Sequence, residues 1–141
     1  MARKKPRTST DRDELPQLIQ WYLRGLEGVI SIEDLRVLLQ PDVCWSRDGK
    51  TWVEGREAVS QQIKEWRSTV VDTTIKMQRM QEYDDGCVKV DFFVDTHVRD
   101  GDGNLTMVRL GVIAAYMVED QKLHEILEYW QAVPPEARNY Q

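Results

Sequence analysis

Cysteine and histidine are scarce, at two residues each in a chain of 141. Two cysteines cannot build the disulfide framework that staples small secreted domains. Cys44 and Cys87 each fall in a strand-like apolar stretch, where a free thiol packs as a small hydrophobe. They point to a reducing compartment, and the cytoplasm is the expected location. His97 and His124 are too few for a histidine-based metal site, so no metal is expected. No run approaches the ~18 apolar residues that span a bilayer, which sets aside a membrane protein. Positive charge is also short. Nineteen Lys and Arg against 24 Asp and Glu leave a net charge of −5, which speaks against a nucleic-acid partner. Gly-rich phosphate loops and a Ser/His/Asp order are missing too. No cofactor is implied, and any chemistry is expected to run on protons and shape.

What is present reads as one domain. The basic cluster Arg3-Lys4-Lys5-Pro6-Arg7 lacks the apolar segment of a secretory signal, and residues 1–11 are read as a disordered tail. Residues 12–133 form the expected domain, and 134–141 a C-terminal tail. Asp11 or Asp13 is placed as the cap of a first helix, with Pro16 in its first turn and Gly28 at its end. Its apolar positions Leu15, Leu18, Ile19, Tyr22, Leu23 and Leu26 keep a helical period. Ser31 opens a short second helix with Glu33-Asp34 in its first turn and Gln40-Pro41 as its stop. Val43-Cys44-Trp45 reads as a short strand before a turn at 47–50. A third helix spans about 56–67, with Ala58, Val59, Ile63 and Trp66 on its buried face.

From Val70 the period changes to two. Strands are predicted at 71–83, 87–99, 105–119 and 122–133, separated by turns at Asp84-Asp85-Gly86, Asp100-Gly101-Asp102-Gly103-Asn104 and Glu119-Asp120-Gln121. The second turn is similar to the start of a calcium loop. Leu105 and Gly111 stand where that loop needs glycine and glutamate, so it is read as a turn only. Helices followed by an antiparallel meander define an α+β domain.

Leu38-Leu39-Gln40-Pro41-Asp42-Val43-Cys44-Trp45, Val53-Glu54-Gly55-Arg56-Glu57-Ala58 and Glu128-Tyr129-Trp130 resemble the nuclear transport factor 2-like superfamily. Within it the likeness is to SnoaL-like polyketide cyclases and limonene-epoxide-hydrolase-like enzymes. The resemblance implies a cone-shaped fold, with three N-terminal helices packed on a curved, mixed but mostly antiparallel sheet. It also implies a homodimer and a hydrophobic small-molecule substrate. Limonene-type hydrolases carry a basic residue two positions before an aspartate on one strand, and a second carboxylate just before an aromatic pair on the last. Lys89-Val90-Asp91 and Glu128-Tyr129-Trp130 resemble these elements, with lysine for arginine and glutamate for aspartate. Trp45, Ser46 and Arg47 stand where the family holds its water with tyrosine and asparagine.

Strand alternation leaves two readings of the second meander strand. In one, Val88, Val90, Phe92, Val94 and Val98 face the core, and Lys89, Asp91, Phe93, Asp95, His97 and Arg99 face water. The resemblance implies the reverse, with the mixed face lining the pocket and the valine face meeting a second subunit. Apolar residues on both faces of the last two strands favour the reversed reading, because a sheet with one wet face alternates cleanly. On that reading Asp91, placed opposite about Val112, shares a cavity with Glu128. Lys89 completes the catalytic group, and Arg79 neighbours Asp91 across the first hairpin. Trp21, Trp45, Arg79, Phe93, Leu110, Val112, Tyr116 and Trp130 are the expected substrate contacts. Asp95 and His97 are read as a rim ion pair or an auxiliary acid/base pair. The expected function is cofactor-free acid/base chemistry (ring closure, isomerisation or epoxide opening) on a hydrophobic oxygenated molecule of polyketide or terpenoid biosynthesis. The alternative is a non-catalytic ligand-binding or dimerisation module.

Overall fold

A computed structural model describes residues 9–134. The expected tails at 1–8 and 135–141 lie outside the described residues. Helix α1 spans Ser9–Glu27, α2 Ile32–Val37 and α3 Arg56–Arg67. The strands are β1 Leu39–Ser46, β2 Val53–Glu54, β3 Val70–Glu82, β4 Cys87–Arg99, β5 Leu105–Glu119 and β6 Lys122–Ala132. They form one six-stranded sheet in the order β2-β1-β6-β5-β4-β3. Only the β1–β6 pairing is parallel, so the sheet is mixed but mostly antiparallel, as expected.

Each hairpin closes on the turn chemistry visible in the chain. Gly86 and Gly103 sit at φ 85° and 84°, where a side chain would be strained. Asp100 Oδ1 accepts from the backbone N–H groups of Asp102 and Asn104, so this aspartate folds its own loop. Asp120 and Gln121 both take positive φ, the conformation of a tight two-residue hairpin turn. At α2, Ser31 caps the helix by accepting from the Asp34 N–H.

Several boundaries differ from the sequence reading. Helix α1 already includes Ser9, so Asp11, Asp13 and Pro16 lie within it. Leu39 belongs to β1 rather than to α2, because the chain enters the sheet there and pairs with Leu123. Val53-Glu54 adds a short strand against Cys44 and Trp45. Ala58 is exposed, and α3 buries Val59, Ser60 and Ile63 instead.

The core lies between the helices and the inner sheet face. Leu15, Ile19, Tyr22, Leu23 and Leu26 of α1 form one buried stripe. Opposite them are Val88, Val90, Phe92 and Val94 of β4, Val112, Ala114 and Tyr116 of β5, and Ile126 of β6. The valine face therefore meets the helices, and the reversed reading of β4 is corrected. Trp21 falls off the α1 stripe and is 44% exposed, with the Arg24 guanidinium 5.8 Å from its ring. Its neighbour Tyr22 takes the inward position expected of it.

Candidate active site

One ionisable carboxyl group lies wholly buried on the inner face. Glu128 is inaccessible to solvent, and its cross-strand neighbour is Ala114, which in turn pairs with Val90. Both neighbours are apolar, so the sheet supplies no counter-charge. The partners come from elsewhere. Tyr22 on α1 donates its hydroxyl to Glu128 Oε2 at 3.0 Å, and Tyr116 on β5 donates to the same oxygen at 2.8 Å. Trp130 Nε1 donates to Oε1 at 3.1 Å. A buried polar group without partners costs several kcal/mol, and these donors offset that cost. Oε2 is saturated by two donors, whereas Oε1 has a single donor and keeps an acceptor position open.

Burial pushes the Tyr22 and Tyr116 phenols well above the ordinary tyrosine range, and the adjacent Glu128 adds to the rise. Both therefore stay protonated as donors. For Tyr22 the Arg47 charge and the Trp45 indole oppose the rise without reversing it.

Arg47 follows β1 and turns back over the aromatic wall. Its guanidinium carbon lies 4.2 Å from the Trp130 ring centroid, 5.1 Å from Trp45 and 5.8 Å from Trp66. Trp66 and Trp130 meet edge to face at 5.3 Å. The loop that carries Arg47 is held by Ser46 and Asp48: Ser46 Oγ accepts from the Gly49 N–H, and Asp48 Oδ1 accepts from the Lys50 and Thr51 N–H groups.

The expected residues thus divide between the two faces. Glu128, Trp45, Leu110, Val112, Tyr116 and Trp130 share the inner face. Asp91 does not join them. It pairs with Ile113 rather than Val112, and a shift of one residue sends a side chain to the opposite face. Asp91 and Glu128 therefore stand on opposite sides of the sheet, and the shared cavity is corrected. Lys89 is exposed on the outer side, 5.4 Å from the Tyr83 ring. Arg79 does pair with Asp91 across the β3–β4 hairpin, but it is exposed and makes no ion pair among the described residues.

Phe93 and Asp95 also face outward. Asp95 takes a two-pronged ion pair from Arg109, with Nε to Oδ1 at 2.6 Å and a second nitrogen to Oδ2 at 2.8 Å. Lys76 lies 3.3 Å away. The Arg109 hydrogen bonds, aided by Lys76, hold the Asp95 carboxyl below the usual range. Asp95 is thus committed to Arg109, and the expected pair with His97 does not form. A cleft of about 800 Å³ runs along this side, lined by Asp91, Phe93, Ile113 and Tyr129. It also reaches Val112 and Trp130, so four expected residues (Asp91, Phe93, Val112 and Trp130) do line one cavity, without Glu128.

Tyr22, Arg47 and Trp66 enter the inner site without having been singled out as contacts. Tyr22 carried a signal, since a tyrosine on a buried helical stripe needs a partner for its hydroxyl. Arg47 stands where the resemblance places the family's water-holding residues, and Trp66 on the buried face of α3. Neither reading shows them meeting over Trp130, which depends on how the loop after β1 and α3 pack.

The architecture is the nuclear transport factor 2-like cone fold. No protein-family model matches the sequence, and no curated protein matches it either. Solved structures do match. An epoxide hydrolase/cyclase-like enzyme, SalBIII, with a role in pyran ring formation in the polyether salinomycin, superimposes with a TM-score of 0.73 at 15% identity, over 85% of this chain and 92% of its own. A protein from Shewanella denitrificans assigned as a SnoaL-like polyketide cyclase gives 0.72 at 12% identity, over 90% and 95%. An LEH-like epoxide hydrolase of M. tuberculosis gives 0.69 at 14% identity, over 84% of each chain. At such identities the likeness is one of fold, and function must be argued from the site.

Proposed function

We propose that this protein is an acid/base enzyme that closes, isomerises or opens a ring in a hydrophobic oxygenated small molecule, with Glu128 as the group that takes and returns the proton. The observation that carries the reading is the open acceptor position on Glu128 Oε1, in a carboxyl fixed through its other oxygen by two phenols. A base held this way has its orientation set before substrate arrives, and orientation is a large part of catalysis. The wall of Trp45, Trp66 and Trp130 suits an apolar substrate body. The named activities of the fold neighbours, cyclase and epoxide hydrolase, are of this kind. With Asp91 on the other face, Glu128 takes and returns the proton alone, and the Tyr22 and Tyr116 phenols serve as the fixed donors that orient it. A role in polyketide or terpenoid biosynthesis, without a cofactor and in the cytoplasm, is part of the proposal.

A second reading, a dimerisation or ligand-binding module, rests on the outer face. There Ile113 and Tyr129 stand opposite each other at 65% and 48% exposure beside the cleft. The two readings are compatible, and the outer face is proposed as the homodimer contact.

The catalytic reading is tested with a terpene-like epoxide, an epoxy alcohol and a linear poly-β-ketoester. These are incubated in heavy-oxygen water, which separates hydrolysis from ring closure. The wild type is expected to convert at least one, and Glu128→Gln to lose about 10²–10⁴ in rate. Equal rates, or no conversion of any of the three, would overturn it.

A further inference from the structure

Arg47 is a cation with no counter-ion. Among the described residues no carboxylate lies within ion-pair distance of it and no hydrogen bond involves it. Its Nε–H is buried and unpartnered, while the guanidinium is stacked on Trp130 and flanked by Trp45 and Trp66. Close by is a second orphan. Trp45 is only 7% exposed, and its buried indole Nε1–H makes no hydrogen bond of good geometry, although it lies near enough to the Tyr22 hydroxyl to pull that phenol's pKa down. Buried donors in native proteins are almost always satisfied, and a charged donor most of all. Arg36, Ser60, His97 and His124 each hold a buried unpartnered polar atom too, but Arg47 and Trp45 bring two such donors to one aromatic wall, and that pairing marks a place where an acceptor belongs.

From these two donors we infer that the inner site binds a hydrophobic monoanion, a carboxylate whose oxygens meet Arg47 and the Trp45 indole N–H while its apolar body lies against Trp66 and Trp130. The chemistry narrows the class. A planar carboxylate matches a guanidinium edge, which donates two parallel hydrogen bonds. A phosphate ester would bring more charge than one arginine neutralises, close to the carboxyl group of Glu128 already buried on this face. A ligand without an acceptor atom would leave the buried Arg47 Nε–H unpaired. Indole stacking keeps the guanidinium flat against Trp130 and leaves its edge free, a geometry that a lysine in its place would lose. The inference rests on the inner face being the ligand site, as proposed above, but not on Glu128 moving a proton.

The test compares naphthoate with naphthamide, two ligands of nearly one shape that differ in charge. Each is titrated by calorimetry into the wild type and into Arg47→Gln, Arg47→Lys and Glu128→Gln. The wild type is expected to bind naphthoate about tenfold or more tightly than naphthamide, the scale of one charge-assisted contact. Arg47→Gln should remove that preference while still binding naphthamide, and Arg47→Lys should keep part of it. Glu128→Gln should retain the preference even though turnover falls, so the anion site and the catalytic reading fail separately. In proton–nitrogen spectra the Trp45 indole resonance should move on addition of naphthoate in the wild type and stay in place in Arg47→Gln. Equal affinity for the two ligands, no saturable binding of naphthoate, or a preference that survives Arg47→Gln would overturn the assignment.

Discussion

Tyr22 and Tyr116 donate to one and the same oxygen of Glu128, at 3.0 and 2.8 Å, with their rings 5.3 Å apart and edge to face. The pair ties α1 to β5 through a side chain of β6. Removing one hydroxyl leaves Oε2 with a partner, and removing both leaves a buried acceptor with none. Tyr22→Phe and Tyr116→Phe are each expected to cost about 1 kcal/mol, and the double variant more than the sum, by about another 1 kcal/mol. Urea unfolding of the four proteins measures this coupling. Additive costs would contradict a shared acceptor.

The same phenols predict an alkaline limb. Their folded pKa values are raised by burial, above the value of about 10 that applies in the unfolded chain. Their contribution is complete below about pH 10. Above it the unfolded chain releases protons that the folded chain retains, and stability falls by up to about 1.4 kcal/mol per pH unit for each tyrosine until the folded value is reached. Denaturant titrations across this range should show the slope, and Tyr22→Phe should remove one tyrosine's share of it.

The sequence carried the fold further than the site. The long strands and their turns were legible because Asp-Asp-Gly, Asp-Gly-Asp-Gly-Asn and Asp-Gln impose local geometry that packing does not override. The β4–β5 pairing was placed one residue out, with Asp91 against Val112 instead of Ile113. In a helix such an error rotates a side chain by a fraction of a turn. In a strand it moves the side chain through the sheet, and here it separated the two carboxyl groups taken as a pair. The resemblance singles out Glu128 and the neighbouring Trp130, but the two phenols that bond the other oxygen of Glu128 lie on α1 and β5. Their approach is a property of tertiary packing that no spacing records.

On the outer face, Asp95 is held below the usual carboxyl range by Arg109 and Lys76. A depressed carboxyl stabilises the folded chain above the unfolded value of about 3.9, and that contribution is lost as the pH falls through the folded value. Asp95→Asn should therefore melt at a lower temperature than wild type near neutral pH, with the two curves converging as the solution is acidified. A gap that persists in acid would mean the residue acts by packing instead of charge.

Gly25 tests the contact between α1 and α2. A methyl group there would come within 2.6 Å of Leu35 Cδ1 and 3.3 Å of its Cγ, and Leu35 is wholly buried. Alanine favours a helix by about 0.5–1 kcal/mol over glycine, whereas overpacking costs about 1–3 kcal/mol. The steric term wins, and Gly25→Ala should lower the melting temperature by a few degrees. A stabilised variant would show that Leu35 has room to turn away.

Val90 and Phe92, expected at a dimer contact, are buried under the helices. The expected contact instead centres on Ile113 and Tyr129, with the half-buried Leu127 two positions along β6. Sedimentation at tens of micromolar, a concentration of the order that populates a stable dimer, should give a dimer for wild type and a monomer for Ile113→Glu. A monomeric wild type would refute it.

The parallel pairing of β1 with β6 has a consequence in time. Tyr22, Trp45 and Arg47 emerge early in synthesis, whereas Glu128 and Trp130 arrive on the last strand described. Until β6 docks between β1 and β5, two phenols and the indoles of Trp45 and Trp66 face a vacant seam with no acceptor to order them. Pairings between distant parts of a chain form slowly, because the intervening loop must be closed before any contact is gained. The ligand site proposed at Glu128 therefore has no acceptor until β6 takes its place in the sheet.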